Sequence, residues 1–127
     1  MDSQNSDTIS HIEYTISGNY YITTIDTNYS LLRSNVTGKK HTSYYNKSGK
    51  LLWKLTITGS FTYTGTSSKC TSAVASVSNI AKDWSVVSKS GYPSGNSAIG
   101  TATMRLKGSQ NITKTVKLSC SKNGVLS

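Results

Sequence analysis

Polar and apolar residues alternate along most of the chain after residue 12, and short groups of turn-forming residues separate the alternating stretches. The clearest stretch runs from 51 to 63. Its odd positions are apolar or Gly, whereas its even positions after Leu52 are Lys, Thr or Ser. A period of two places successive side chains on opposite faces of a β-strand. We therefore predict a strand over 51–63 with one face in a hydrophobic core.

The same period recurs twice near the end of the chain. Even positions are apolar or Gly from 98 to 106, and again from 112 to 120 except at Lys114. A lysine is tolerated on an apolar face near a strand end, where its stem can reach solvent. The predicted core consists of Trp53, Leu55, Ile57, Phe61, Trp84, Met104 and Leu118.

Groups rich in Gly, Asn and Ser recur along the chain and predict turns. They lie at 17–19, 38–40, 46–49, 65–67, 91–95 and 108–110. Short strands at this spacing predict an all-β fold, an antiparallel β-sandwich of about seven to nine strands. We expect an immunoglobulin-like architecture and leave the strand order open. Residues 1–11 are predicted to be a flexible polar segment, and residues 12–127 a single domain.

The turn at 108–110 joins the last two alternating stretches into a hairpin. The simplest register pairs position 107 with 111, 105 with 113, 103 with 115 and 101 with 117. This register places cations and threonines together on the outward face. The predicted anion-binding residues are Lys54, Arg105, Lys107 and Lys117.

Charge is distributed unevenly along the chain. Residues 1–26 hold four acids and no Lys or Arg, whereas residues 27–127 hold all fourteen Lys and Arg and one acid, Asp83. The two parts carry −4 and +13, which sum to the net +9. A field of this size concentrates anions near the surface, although solvated lysines on strand faces produce the same composition.

Cys70 and Cys120 are the two cysteines of the chain, and Cys120 shares the parity of the core positions around it. We predict a disulfide between them, which stabilises a fold by about 4 kcal/mol through loop closure. Such a bridge implies an oxidising compartment. The alternative is a pair of inert buried thiols in a cytosolic protein. Trp84 lies between the cysteines in the immunoglobulin order, but the position two residues before Cys120 is Leu118 and not the tyrosine of those domains.

Three segments resemble a small family of secreted all-β proteins from Gram-positive, Clostridium-like bacteria. They are SYYNKSGKLLW at 43–53, TGSFTYTGTSSKCT at 58–71 and KLSCSKNG at 117–124. No activity is established for that family. The resemblance implies a secreted protein whose leader peptide has been removed, with its two cysteines paired. It implies no catalytic or ligand-binding residue.

The usual catalytic motifs are missing from the sequence. The only histidines are His11 and His41, and no Gly-x-Ser-x-Gly elbow, phosphate loop or dinucleotide fingerprint occurs. Few carboxylates are available for a glycosidase pair, and no Cys-x-x-Cys or paired-histidine zinc motif is present. We therefore predict that the protein is not an enzyme, with no catalytic residue, metal site or cofactor.

The favoured hypothesis is a secreted, extracellular binding module that engages an anionic polymer through a basic, threonine-rich β face. Its partner would be a cell-wall polymer, a glycan or a host surface. One ring of each tyrosine pair, 20–21 and 44–45, must face outward and could stack on sugars. The alternative is a secreted antagonist or bacteriocin-like toxin, or another protein-interaction domain.

Three other partner classes are disfavoured. A nucleic acid fits the charge, but the sequence has no recognition motif and the expected export argues against it. An ice-binding face would use threonine at alternate positions, but the lysines between them interrupt it. No window approaches the roughly 18 apolar residues of a membrane span. The oligomeric state is left open.

Overall fold

The computed structural model describes residues 7–26, 30–32 and 34–127. The strands are β1 (Asp7–Tyr14), β2 (Tyr20–Asp26), β3 (Ser30–Leu32), β4 (Asn35–Tyr45), β5 (Leu51–Tyr63), β6 (Ser68–Ser78), β7 (Trp84–Ser94), β8 (Ser97–Leu106) and β9 (Asn111–Ser119). Among these residues no helix is long and apolar enough to cross a membrane. The all-β prediction is confirmed.

The strands form two antiparallel sheets. The large sheet has the order β1-β2-β4-β5-β6, with β3 also paired to β4, and the small sheet has the order β7-β8-β9. Both sheets therefore follow the chain as meanders. The described strands do not show the Greek-key order of immunoglobulin domains, in which a fourth strand returns beside the first. The two-sheet architecture is confirmed, and its resemblance to immunoglobulin domains does not extend to topology.

The core lies between the facing sides of the two sheets. On β5 the odd positions point inward, and Trp53, Leu55, Ile57 and Phe61 are all at most 1% exposed. The small sheet contributes Met104 and Leu118, which are fully buried. Trp84, at the start of β7, is partly buried against this core. The alternating pattern thus locates the inward face of each of these strands.

Two glycines allow the small sheet to approach the large sheet closely. A Cβ atom on Gly100 of β8 would lie 3.2 Å from the Cβ of Ile57 on β5. A Cβ atom on Gly91 of β7 would lie only 2.7 Å from the backbone nitrogen of Ala75 on β6. These contacts place β8 over β5 and β7 against β6.

The N-terminal part of the chain enters the large sheet earlier than the sequence pattern predicts. β1 begins at Asp7 and pairs with β2 as far as Tyr14. Residues 7–11 of the predicted flexible segment therefore belong to a strand, while residues 1–6 lie outside the described residues. Pairing with β2 supplies partners for the backbone groups of this polar segment, which hydropathy does not reveal.

The prediction of a turn at 91–95 is wrong, because most of this segment belongs to a strand. β7 continues through Tyr92 and Pro93 to Ser94, which pairs with Ser97 across a two-residue loop. Proline is compatible with this position because β7 pairs with β8 on one side only, so no ladder hydrogen bond is lost on its other edge.

The predicted disulfide is wrong. Cys70 and Cys120 are both buried, but they are free thiols whose sulfurs are not at bonding distance. Both cysteine backbones are hydrogen-bonded to the loop between β7 and β8. The Cys70 amide donates to the carbonyl oxygen of Gly95 at 2.8 Å, and the Cys120 amide donates to that of Asn96 at 3.0 Å. The sulfurs contact different carbonyl oxygens, those of Ser72 and Ser121. Burial raises the pKa of both thiols and so keeps them protonated.

Candidate anion-binding face

The side of the small sheet that faces away from the large sheet is polar and basic. Its three strands place Ser, Thr, Arg and Lys side chains on this side at alternate positions. We call it the hydroxyl face, and its members are Ser85, Ser88, Ser90, Thr101, Thr103, Arg105, Thr113, Thr115 and Lys117. The threonines of β8 are half-buried, and the other members are exposed.

The register of the β8–β9 hairpin differs from the predicted one by two residues. Arg105 pairs with Asn111, and six residues further along the hairpin Ile99 pairs with Lys117. The shift arises because Leu106 accepts a hydrogen bond from the Ser109 amide, which closes a turn that includes Lys107. A shift of two keeps every side chain on its predicted face but changes its neighbour.

The four cations predicted to bind an anion do not all lie on the hydroxyl face. Arg105 and Lys117 lie at opposite ends of the hydroxyl face, six residues apart along the strand, or about 20 Å. Lys107 is in the turn beside Arg105, and its amide donates to the carbonyl of Asp83. Lys54 lies on the outer side of the large sheet, where it pairs with Ser43 of β4. Only Arg105 and Lys117 share the face itself.

Threonine hydroxyls form two cross-strand pairs between the cations. The Oγ1 atoms of Thr101 and Thr115 are 3.1 Å apart, and those of Thr103 and Thr113 are 2.9 Å apart. Each hydroxyl has one proton, so a pair uses one and leaves the other for a ligand. These pairs also stabilise the hairpin. The face therefore presents ordered hydroxyl donors between two positive ends.

Tyr92 adds an aromatic ring that the sequence prediction misses. It lies opposite Ile99 in β7 and is 49% exposed. Because Ile99 in turn pairs with Lys117, the ring belongs to the row that ends at this lysine. A turn at 91–95 predicts no outward position for Tyr92. The alternation of Ser88 and Ser90, continued by two residues, does predict that Tyr92 faces outward.

The three strands of the small sheet contain no acidic residue. The only acid after residue 26 is Asp83, which directly precedes β7. The basic field over the hydroxyl face therefore has few opposing charges, and an anion approaching it is attracted from solution.

An aromatic cluster closes one end of the sandwich. The rings of Tyr21 and Tyr44 have centroids 4.5 Å apart, and Tyr44 also contacts Trp53 and Trp84. An adjoining open cavity of about 560 Å³ is lined by Thr15, Ile16, Ser17, Tyr21, Tyr44 and Ile112. Its two tyrosine rings are almost fully buried, so little aromatic surface is left for stacking.

Lys114 of β9 is held at this end by two contacts. Its ammonium lies 2.8 Å from a carboxylate oxygen of Glu13 and 4.1 Å from the centre of the Tyr21 ring. The hydrogen bond and charge of Lys114 lower the pKa of Glu13. The charge of Lys114 is thus balanced within the protein, whereas Arg105 and Lys117 have no carboxylate partner among the described residues.

The outward tyrosines of the large sheet stack on one another. The rings of Tyr20 and Tyr45 are nearly parallel with centroids 5.2 Å apart, and Tyr14 follows at 5.6 Å from Tyr20. Stacking covers the facing sides of these rings, whereas Tyr14, at one end of the ladder, is 70% exposed. One tyrosine of each pair faces outward, as expected. These are Tyr20 and Tyr45, which lie on the other sheet from Arg105 and Lys117.

Burial raises the pKa of Tyr21 to about 12, and the neighbouring Tyr44 and Glu13 add to the effect. The unfolded chain then loses this proton near pH 10 while the folded protein keeps it, so the contribution to stability is full below pH 10 and is lost toward pH 12. Between pH 10 and pH 12 the free energy of unfolding should therefore fall less in Tyr21→Phe than in wild type, by up to about 3 kcal/mol. Urea unfolding at both ends of the window measures the difference. Equal losses in the two proteins would contradict the assignment.

The described residues contain no group of three or more side chains able to hold a metal ion. Compared with known proteins, the chain matches no family, no curated protein and no solved structure. Function is therefore argued from the charge and geometry of the hydroxyl face.

Proposed function

We propose that the protein is a binding module that holds an extended anionic polymer along the hydroxyl face. One observation carries the proposal: Arg105 and Lys117 mark the two ends of a face of hydroxyls whose strands contain no acid. A polymer with repeated negative charges can contact both ends at once. A small monoanion can contact only one, because the ends are about 20 Å apart.

Each part of the face has a distinct role in this binding. Arg105 donates charge-assisted hydrogen bonds to sulfate, phosphate or carboxylate groups, and Lys117 provides a second positive charge. The threonine hydroxyls donate to ligand oxygens between these ends. The exposed Tyr92 ring offers an apolar surface for a sugar ring. A charged glycan or a sugar-phosphate polymer matches all three features.

The N-terminal acids are compatible with an open hydroxyl face. β1 is an edge strand of the large sheet, and Glu13 pairs with Lys114, whose side chain is on the inner side of β9. The described acids of this segment therefore do not cover Arg105 or Lys117. This arrangement favours a binding module over the hypothesis of an antagonist whose acidic arm covers its basic surface.

Secretion remains a prediction and forms part of the proposal. The disulfide that also indicated an oxidising compartment is not present, so the resemblance of the three sequence segments now supports it alone. An anionic cell-wall polymer, a glycan or a host surface would be the partner outside the cell. Oligomeric state has no part in the proposal.

We expect the double variant Arg105→Gln/Lys117→Gln to bind heparin or long-chain polyphosphate about tenfold more weakly than wild type. Its affinity should also fall less steeply with salt, since fewer ions are released on binding. The matched control is Lys47→Gln/Lys50→Gln, in the turn between β4 and β5, because both double variants reduce the net charge from +9 to +7. Equal losses in the two double variants would show that total charge, and not this face, determines binding.

A further inference from the structure

Lys40 is a cation on the inner side of the large sheet. In β4 it pairs with Ile57 of β5 on one side and Ile25 of β2 on the other, and all three share the face that meets the small sheet. Its side chain is half-buried. Burial and the nearby Lys117 both lower the pKa of Lys40. An anion beside an ammonium group in such a position stabilises its charged form.

The register of the two sheets places Lys40 beneath β9. Gly100 of β8 lies directly over Ile57, at the close contact between the sheets. Gly100 pairs with Val116, and Ile57 pairs with Lys40, so one step across each sheet leads from that contact to β9 and β4. Val116 and Lys117 of β9 therefore cross above Lys40. This placement follows from backbone pairing and is independent of the titration of Lys40.

Among the described residues β9 pairs with β8 on one side, and on its other side only its last residue, Ser119, is paired, through two backbone hydrogen bonds with Ser127; the rest of that edge is free. The ammonium group of Lys40 must reach solvent along the other, free edge of β9, because β8 and the core occupy the opposite side. Lys117 is exposed on the same strand. Among the described residues neither lysine has a carboxylate partner, whereas Lys114 is paired with Glu13. The two ammonium groups thus lie on the same side of β9, near enough for the charge of Lys117 to act on Lys40.

We infer that the free edge of β9 holds a phosphate-type oxyanion between Lys40 and Lys117. A doubly charged tetrahedral group balances two ammonium ions, and its oxygens can accept hydrogen bonds from both. The inference deepens the proposed function and rests on it, because it names phosphate or sulfate as the group that the polymer presents at the Lys117 end. Arg105, at the far end of the hydroxyl face, is not part of this site.

Inorganic phosphate is the probe that tests the site without any polymer. Nuclear magnetic resonance titration of the wild-type protein should shift the side-chain signals of Lys40 and Lys117, and the pKa of Lys40 should rise when phosphate binds. Lys40→Gln and Lys117→Gln should each weaken phosphate binding about tenfold. Lys50→Gln, in an exposed turn, serves as the matched control and should bind phosphate like wild type.

Two variants protect the test against a loss of folding. Lys117 is exposed, so its replacement leaves the fold intact and must still reduce phosphate binding. Lys54→Gln, which removes one charge from the outer side of the large sheet, should bind phosphate like wild type. Phosphate shifts that avoid both lysines, or equal weakening by Lys50→Gln, would overturn the oxyanion site.

The same variants separate this inference from the proposed function. If phosphate does not bind at Lys40 and Lys117 but Arg105→Gln/Lys117→Gln still binds polymer weakly, the oxyanion site is wrong and the polymer face is retained. If phosphate binds at the two lysines and polymer does not bind the hydroxyl face, the oxyanion site is retained and the proposed function is wrong.

Discussion

Replacing Trp53 with alanine should lower the free energy of unfolding by about 3–5 kcal/mol. Trp53 is fully buried in the aromatic cluster at one end of the sandwich and contacts the rings of Tyr21, Tyr44 and Trp84. Removing its indole leaves a cavity that strands fixed by backbone hydrogen bonds cannot readily fill. Because small domains are stabilised by only about 5–15 kcal/mol, this is the largest single effect that we expect. Urea unfolding followed by circular dichroism measures it.

Two further substitutions test the reason for this loss. The indole nitrogen of Trp53 has no hydrogen-bond partner among the described residues, so Trp53→Phe removes volume but no hydrogen bond and should be much milder. Thr58→Ala, on the opposite face of the same strand, should change stability by less than about 1 kcal/mol. A loss in Trp53→Ala no larger than that in Thr58→Ala would contradict the assigned core.

Replacing Gly91 with alanine should destabilise the protein by about 1–3 kcal/mol, although only one methyl group is added. The new Cβ would lie 2.7 Å from the backbone nitrogen of Ala75 and 3.2 Å from the carbonyl oxygen of Ala73. These are backbone atoms of β6, held by pairing with β5, so they cannot move aside as a flexible side chain would. β7 would have to move away from β6. Chemical denaturation measures the loss.

The position next to Gly91 provides a matched control. Ser90 is exposed in the same strand, and Ser90→Ala should change stability by less than about 0.5 kcal/mol. Amide hydrogen exchange in Gly91→Ala should accelerate first in β7, since the added methyl group disrupts the contact between β7 and β6. A Gly91→Ala protein as stable as wild type would show that β7 does not lie against β6 as described.

The strongest sequence signal, alternation along β5, predicts the inward residues because each of them is apolar. β4 gives no such signal: its inward face reads Val36, Gly38, Lys40, Thr42 and Tyr44. A half-buried lysine and a buried threonine interrupt the pattern there. Lys40 is consequently invisible as a site residue until backbone pairing places it beside Ile57.

The disulfide shows what spacing and parity cannot determine. Parity correctly indicates that Cys120 is buried. It says nothing about the distance between two sulfurs on different strands, which depends on how the sheets pack. Here the β7–β8 loop hydrogen-bonds to both cysteine backbones, and no sequence pattern reports that contact. Two buried thiols of similar parity are therefore insufficient to predict a bridge.

The hydroxyl face is predicted in part, less completely than the inward residues of β5 but better than the cysteine pair. Its members follow from parity, so Arg105, Lys117 and their threonines are predicted correctly to share a face. Their spacing depends on the residues of the turn, and the two-residue shift transfers Lys107 from the face to the turn. Lys54 belongs to a different sheet, which alternation along one strand cannot reveal.

Mapping a bound polyanion onto the backbone amides tests the central claim most directly. In a titration of the wild-type protein with long-chain polyphosphate, followed by nuclear magnetic resonance, we predict that the shifts concentrate on the outward residues of β8 and β9, from Arg105 to Lys117. The outer side of the large sheet, around Lys39 and Lys54, should remain unchanged. Shifts concentrated on that side, or spread evenly over all exposed lysines, would contradict an anion-binding hydroxyl face.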